Sequence, residues 1–176
     1  TEKGSEEAIS AGAQIKEREI DFSVMHTSVL KRAQITGQSI LEVIGQTNIL
    51  IIKDQALNER DYGDLAGLNK DDARKQWGEE QVHIWRRSYD IPPPGGESLK
   101  NTAERVLPYF NEVIMPRLMS GENVLIAAHG NSLRSLVMQL DNLSKEEVLS
   151  LEIPTGAPIL YSFNGEPSPS SKENLF

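Results

Sequence analysis

The run Asn123-Val124-Leu125-Ile126-Ala127-Ala128-His129-Gly130-Asn131-Ser132-Leu133-Arg134 constrains the fold more than any other stretch. Its apolar, strand-like part, 123–128, stops at a histidine, a glycine and an asparagine. A helical pattern then runs from Ser132 to about Leu140. A strand that passes into a helix within a few residues is the building unit of a parallel α/β sheet. In open folds of this kind anions bind at the carboxyl edge of the sheet, where newly started helices present unpaired amides. His129, Gly130 and Asn131 are thereby placed at such an edge, and the glycine lets a ligand approach the backbone closely.

The rest of the chain repeats the alternation. An acidic first turn, Thr1 to Ala8, opens a helix that continues through Ile15. Ile20 to Met25 reads as a strand, and a second helix follows from Ser28 with Leu30, Ala33, Ile40, Leu41 and Ile44 near one face. Asn48 to Ile52 is a short β-branched strand, and 54–69 is a loop rich in Asp, Asn and Gly. A helix is expected over Lys70–Ser88, ended by Pro92-Pro93-Pro94-Gly95-Gly96. Ser98 to Met119 reads as a long helix, interrupted or kinked near Pro108 and Pro116. Beyond the 123–140 unit come a short acidic helix from Ser144 and a last strand, Pro158 to Phe163. The polar stretch from Pro167 reads as a flexible tail. The fold class is therefore an α/β three-layer sandwich, with helices flanking a mostly parallel central sheet.

Composition narrows the chemistry. A net charge of −8 argues against a nucleic-acid or anionic-membrane surface, so positive charge for an anionic ligand must be gathered locally. No apolar run approaches the roughly 20 residues of a membrane span, and no signal-peptide pattern is visible, which makes the cytoplasm the expected location. The absence of cysteine excludes disulfides, thiolate metal sites and a cysteine nucleophile. Only three histidines exist, and His26 and His83 show no metal-ligand spacing to His129, so no metal is expected.

Candidate site residues fall in four places. A histidine alone is commonly structural, but His129 sits at a strand-to-helix switch, where an imidazole can supply charge or protons to a phosphate. Glu59-Arg60-Asp61-Tyr62-Gly63 lies in a glycine-flanked loop. As a surface pair Glu59 and Arg60 would contribute ~0–1 kcal/mol; beside an anion, Glu59 can hold a proton and act as a general acid. Arg86 and Arg87 end a helix, where basic residues complement the dipole but can also fork onto a phosphate or carboxylate. Arg32, one turn into the helix after the first strand, is either surface charge or a phosphate clamp.

Taken in order, these segments resemble the cofactor-dependent phosphoglycerate mutases of the histidine phosphatase superfamily. The resemblance rests on Thr27-Ser28-x-Leu30-x-Arg32-Ala33, Leu57-Asn58-Glu59-Arg60-x-Tyr62-Gly63-x-Leu65-x-Gly67 and Arg86-Arg87-Ser88-Tyr89. Pro92-Pro93-Pro94, Gly96-Glu97-Ser98-Leu99, His129-Gly130-Asn131-Ser132 and Ile153-Pro154-Thr155-Gly156 complete it. Each motif is weak alone; the ordered set is specific and extends over nearly the whole chain. It implies a mutase-like domain over 1–166, with 167–176 as the tail.

The resemblance further implies an isomerase of glycolysis and gluconeogenesis, interconverting 3-phosphoglycerate and 2-phosphoglycerate through a phosphohistidine. Priming would come from 2,3-bisphosphoglycerate, without a metal. Glu59 would exchange the hydroxyl proton, while Arg32 and His129 hold the transferred phosphoryl group. Arg60, Asp61, Tyr62, Lys70, Arg86, Arg87, Gly130 and Asn131 would bind the phosphate and carboxylate ends of the substrate. The partners implied are small phosphorylated three-carbon acids and further copies of the chain, as a homodimer or homotetramer. The family carries its phosphorylated histidine in an Arg-His-Gly motif on a first strand, before the segment that matches Thr1. No Arg-His-Gly occurs in this sequence, so the domain is expected to be N-terminally incomplete and these residues alone should not turn over. Two other functions stay open: a histidine-type phosphatase of small phosphomonoesters, and a non-catalytic anion-binding relative.

Overall fold

A computed structural model describes residues 1–176. Three strands form a parallel sheet in the order β2-β1-β3: β1 is Val24–Thr27, β2 is Leu50–Lys53 and β3 is Val124–Ala127. All four residues of the central β1 are buried, as a parallel strand covered on both faces requires. The register aligns Thr27 with Lys53 and with Ala127, so the three strands end at one level and release Ser28, Asp54 and Ala128 along one edge.

Helices cover both faces. On one side, α1 (Glu2–Lys16) and α2 (Lys31–Ile44) enclose a core of Ala11, Ile15, Met25, Ile40, Leu41, Leu125 and Ala127. Gly37 permits the close approach of α2, because a Cβ there would overlap the Met25 sulfur and crowd Ala127. In chain order the next helices are α3 (Lys70–Trp77), α4 (Glu79–Arg87), α5 (Leu99–Tyr109), α6 (Met115–Met119) and α7 (Gly130–Leu140). The second face packs Leu57 with Val106, Phe110, Ile114 and Met115 of the α5–α6 run and Leu136 of α7. The expected three-layer α/β architecture is the observed one.

Several boundaries differ from the sequence reading, each for a physical reason. The first strand is Val24–Thr27 and not Ile20–Met25. Its polar last residues are buried with partners: His26 Nδ1 meets the Tyr109 hydroxyl at 2.8 Å, and Thr27 Oγ1 donates to the Ala127 carbonyl at 2.6 Å. The single helix expected over 70–88 is two, because Gly78 takes φ +90° between α3 and α4. The 99–119 run does stay helical, with a widened π turn over Phe110–Ile114 between the two prolines. The Pro116 ring displaces the carbonyl four residues before it, that of Glu112, which lies inside this turn.

The stretch read as a flexible tail is also corrected. After α8 (Lys145–Ser150) and β4 (Ile159–Ser162), the segment Ser171–Asn174 forms β5 and pairs antiparallel with β4. Two ion pairs with sequence-distant partners hold it, Arg18–Glu173 at 2.5 Å and Lys172–Asp141 at 2.5 Å. Leu175 then enters the α1–α2 core at 7% exposure. Polar composition hid a strand whose ionic partners, Arg18 and Asp141, lie far away in the chain. The β4–β5 pair is a sheet of its own, separate from the three parallel strands. No helix is long and apolar enough to cross a membrane.

Candidate active site

The site lies along the edge where the parallel strands end. Ser28 follows β1 directly, and His129 is the N-cap residue of α7 in extended backbone, φ −131° and ψ 164°. The Arg32 Nε donates to His129 Nδ1 at 3.2 Å. A guanidinium can only donate, so Nδ1 is the acceptor and the ring proton of a neutral His129 sits on Nε2. Nε2 then donates to the Ser28 hydroxyl at 2.7 Å. Burial, and after it the charge of Arg32, hold the His129 imidazole below its ordinary pKa, against a smaller opposing pull from Glu59. The terminal nitrogens of Arg32 have no protein partner in this exposed position and face solvent.

Glu59 approaches from the loop that follows β2. Its Oε1 accepts from the Arg60 amide at 2.9 Å and from the Asn131 amide, in the first turn of α7, at 3.0 Å. Two backbone donors and a helix N-terminus thus anchor one carboxylate oxygen. Oε2 makes no protein hydrogen bond and lies 3.8 Å from where a Cβ on Gly130 would stand. The Asn131 side-chain amide donates to the Tyr62 hydroxyl at 3.1 Å, linking α7 to the same loop.

Arg60 is 5% exposed and bonds the Glu97 carbonyl at 2.6 Å and the Trp85 carbonyl at 2.7 Å. Its guanidinium lies 4.9 Å from the Tyr62 ring centre, with Arg86 near the same ring at 5.9 Å. Burial lowers the Arg60 pKa, while Tyr62 and the carboxylates of Glu59 and Glu97 oppose the shift. Asp61 is exposed, and its carboxylate accepts from the Gly63 amide at 2.8 Å. Gly63 itself takes φ +55°, and a Cβ there would collide with the Pro94 carbonyl, so the 61–67 loop and the proline turn interlock through backbone alone.

Next to this constellation, α3 and α4 enclose a cleft of about 490 Å³ lined by Lys70, Arg74, His83, Arg86 and Arg87, with Glu79 and Glu80. Neither Glu59 nor His129 lines it; Arg86 is common to both, and its Nε is buried without a partner. This hollow is thus a cationic annex beside the cluster of Glu59, Arg32 and His129. No three or more His, Asp or Glu side chains converge as a metal site would need.

The structure therefore draws Glu59, Arg32, His129, Gly130, Asn131, Tyr62, Arg60 and Arg86 into one neighbourhood, and puts Lys70 and Arg87 in the adjoining cleft. Asp61 hydrogen-bonds only within its own loop and to Glu97. Residue-by-residue reading gave no role to Ser28, Glu97 or Arg105. Ser28 and Glu97 carried a signal, each standing in a motif of the family resemblance; Arg105 carried none outside the three-dimensional fold.

Fold and site together define an α/β protein that gathers cations, an imidazole and a carboxyl at the carboxyl edge of a parallel sheet. The family model for the histidine phosphatase superfamily (branch 1) matches residues 1–168, and the chain belongs to that superfamily. More particularly, a 2,3-bisphosphoglycerate-dependent phosphoglycerate mutase of Parvibaculum lavamentivorans is 66% identical over 175 residues, covering 99% of this chain and 83% of that relative. A protein of the same name from Rhizobium meliloti is 60% identical over the same shares. Among solved structures, Bacillus stearothermophilus YhfR superposes with a TM-score of 0.81 at 24% identity, over 96% of this chain and 80% of that one. The native mycobacterial glucosyl-3-phosphoglycerate phosphatase gives 0.76 at 22%, over 99% and 85%. At those identities the two structures speak to the fold alone.

Proposed function

We propose that the site serves the interconversion of 3-phosphoglycerate and 2-phosphoglycerate, primed by 2,3-bisphosphoglycerate and carried through a phosphohistidine. The observation that carries this reading is the Glu59 carboxyl, held with one oxygen free beside the Arg32–His129 pair. A mutase must accept a proton from one substrate hydroxyl as it takes up the phosphoryl group, and return a proton to the other oxygen as the group leaves. The free Oε2 can do both. Arg32 and His129 supply charge and hydrogen-bond donors to the transferred group, which is what phosphoryl transfer mainly requires. An arriving phosphate dianion opposes the Arg32 charge that, after burial, holds the His129 pKa down.

The donor set also fits the priming bisphosphate. Arg86, with its unpartnered Nε, and Lys70 and Arg87 in the cleft would hold its second phosphate. When bound, this compound supplies the phosphoryl group that loads the enzyme. Tyr62 and Asn131, bonded to each other, and the Gly130 backbone would position the carboxylate end. Arg60 would act by fixing Tyr62, and Asp61 by closing its loop. The phosphorylated histidine would belong to an Arg-His-Gly segment, which residues 1–176 do not contain, so turnover is measured on the full-length protein. We also infer a homodimer or homotetramer, supported by the open outer edge of β2, where Leu50 is 53% exposed, and by Ile35 at 62% on the neighbouring α2. A cytoplasmic setting and independence of metal belong to the same reading.

The test is E59Q in the full-length protein. Mutase turnover should fall about 10³-fold with KM changed less than threefold, since the lost group is a proton carrier. Unchanged turnover removes the acid–base assignment. Phosphate release from assorted monoesters that outpaces isomerisation assigns the site to a phosphatase instead.

A further inference from the structure

We propose that Arg105, paired with Glu97, is a positioning residue that sets the conformation of the 56–61 segment and thereby aims the Glu59 carboxyl. The inference rests on the proposed role of Glu59. Between the short 3₁₀ turns at Gln55–Leu57 and Gly63–Leu65 the chain has no regular secondary structure, so nothing repetitive holds the backbone on either side of Glu59. Its carbonyls are satisfied from elsewhere. Arg105, on α5, donates from Nη1 to the Ala56 carbonyl at 2.7 Å and the Asn58 carbonyl at 3.0 Å. From Nη2 it donates to the carbonyl of Glu59 itself at 3.0 Å.

The same guanidinium forks onto Glu97, with Nε to Oε2 at 2.8 Å and Nη2 to Oε1 at 2.9 Å. Glu97 extends the grip past Glu59. Its Oε1 accepts from the Asp61 amide at 2.9 Å, its own amide donates to the Asp61 carbonyl at 2.6 Å, and its carbonyl accepts from Arg60 Nε at 2.6 Å. The residue that bears the free carboxyl is therefore bracketed on both sides by one charge pair. Burial alone would raise the Glu97 carboxyl, but the bonds from Arg105 and Asp61 and the charges of Arg105 and Arg60 bring it below its usual range. The pair is only about a quarter exposed, at 27% and 23%, so water competes weakly for these donors.

A planar fork is needed for this task. Lysine offers three donors at one point and cannot reach Ala56, Asn58, Glu59 and Glu97 at once. With the grip loosened, Glu59 is free to wander, and a displacement of about 1 Å can cost on the order of 10²-fold in rate.

The experiment compares R105K, E59Q and the double variant in the full-length protein. R105K should lower mutase kcat by about 30- to 100-fold with KM changed less than threefold. In the E59Q background it should lower kcat less than threefold further, because a positioning residue has nothing left to position. Effects that multiply independently overturn the inference, as does an R105K enzyme of normal kcat. An E59Q enzyme of normal kcat instead overturns the proposed function. A second measurement stands apart from turnover: amide hydrogen exchange over residues 56–61 should quicken at least tenfold in R105K while the amides of β1 and β3 stay protected. Unchanged exchange at 56–61 overturns the grip itself, and loss of protection in β1 and β3 as well shows that Arg105 supports the whole fold and not this loop.

Discussion

The two halves of the site are held by different means. Ser28, Arg32 and His129 stand on the ends of β1 and β3 and the starts of α2 and α7, so parallel register alone brings them to one edge. Glu59, Arg60 and Tyr62 stand on an irregular loop, and side chains from 97 and 105 take the place of a strand. The first half is rigid because its backbone bonds repeat; the second is rigid only while particular distant groups keep their bonds. Regular structure tolerates the loss of a side chain, whereas a loop fixed by side chains and glycine turns does not.

This contrast can be broken or sharpened by three experiments beyond those above. The largest effect is expected from H129A. It should reduce mutase turnover about 10²- to 10³-fold, as loss of an electrostatic donor does, while leaving the thermal midpoint within a few degrees. A midpoint falling as steeply as turnover would show that His129 carries the strand half structurally.

G63A should lower stability and turnover together. An alanine at φ +55° facing the Pro94 carbonyl should destabilise the fold by ~2 kcal/mol or more, and turnover should drop with it. Denaturant titration checks the first and kinetics the second. Wild-type stability would mean that the loop can re-seat without the interlock.

The third experiment concerns acid. Burial, then Arg117, depresses His26 to about 4, against an opposing pull from Asp54, so the folded state keeps it neutral while the unfolded chain protonates near 6.5. Its contribution is complete above pH 6.5 and disappears as pH falls toward 4, on the order of 3 kcal/mol over that window. His129, shifted in the same direction, adds to the slope. Stability measured from pH 7 to 4 should decline, and H26Q should flatten the decline. An unaltered slope would move the acid sensitivity away from the strand half.

The same division explains what could be read from sequence. The alternation of strand and helix, the three layers and the carboxyl edge bearing His129 follow from local pattern, since hydrophobic period and the glycine after the histidine act over a few residues. β1 was misplaced because His26 and Thr27 look like loop residues until Tyr109 and the Ala127 carbonyl are beside them. β5 was missed because Glu173 and Lys172 find partners 155 and 31 residues away. Within the site, Arg32, Glu59 and His129 were accessible through motif order, and Ser28 was adjacent to them. Arg105 was not, because its role consists of reaching carbonyls 46 to 49 positions earlier.

One consequence follows from the anchoring of Glu59 Oε1 on the amides of Arg60 and Asn131. Under the proposed chemistry, a single oxygen atom must serve both ends of the exchange, so the two hydroxyl positions of a three-carbon acid have to take turns at the same spot. The choreography then belongs to the small molecule, which must pivot between half-reactions while the protein holds still.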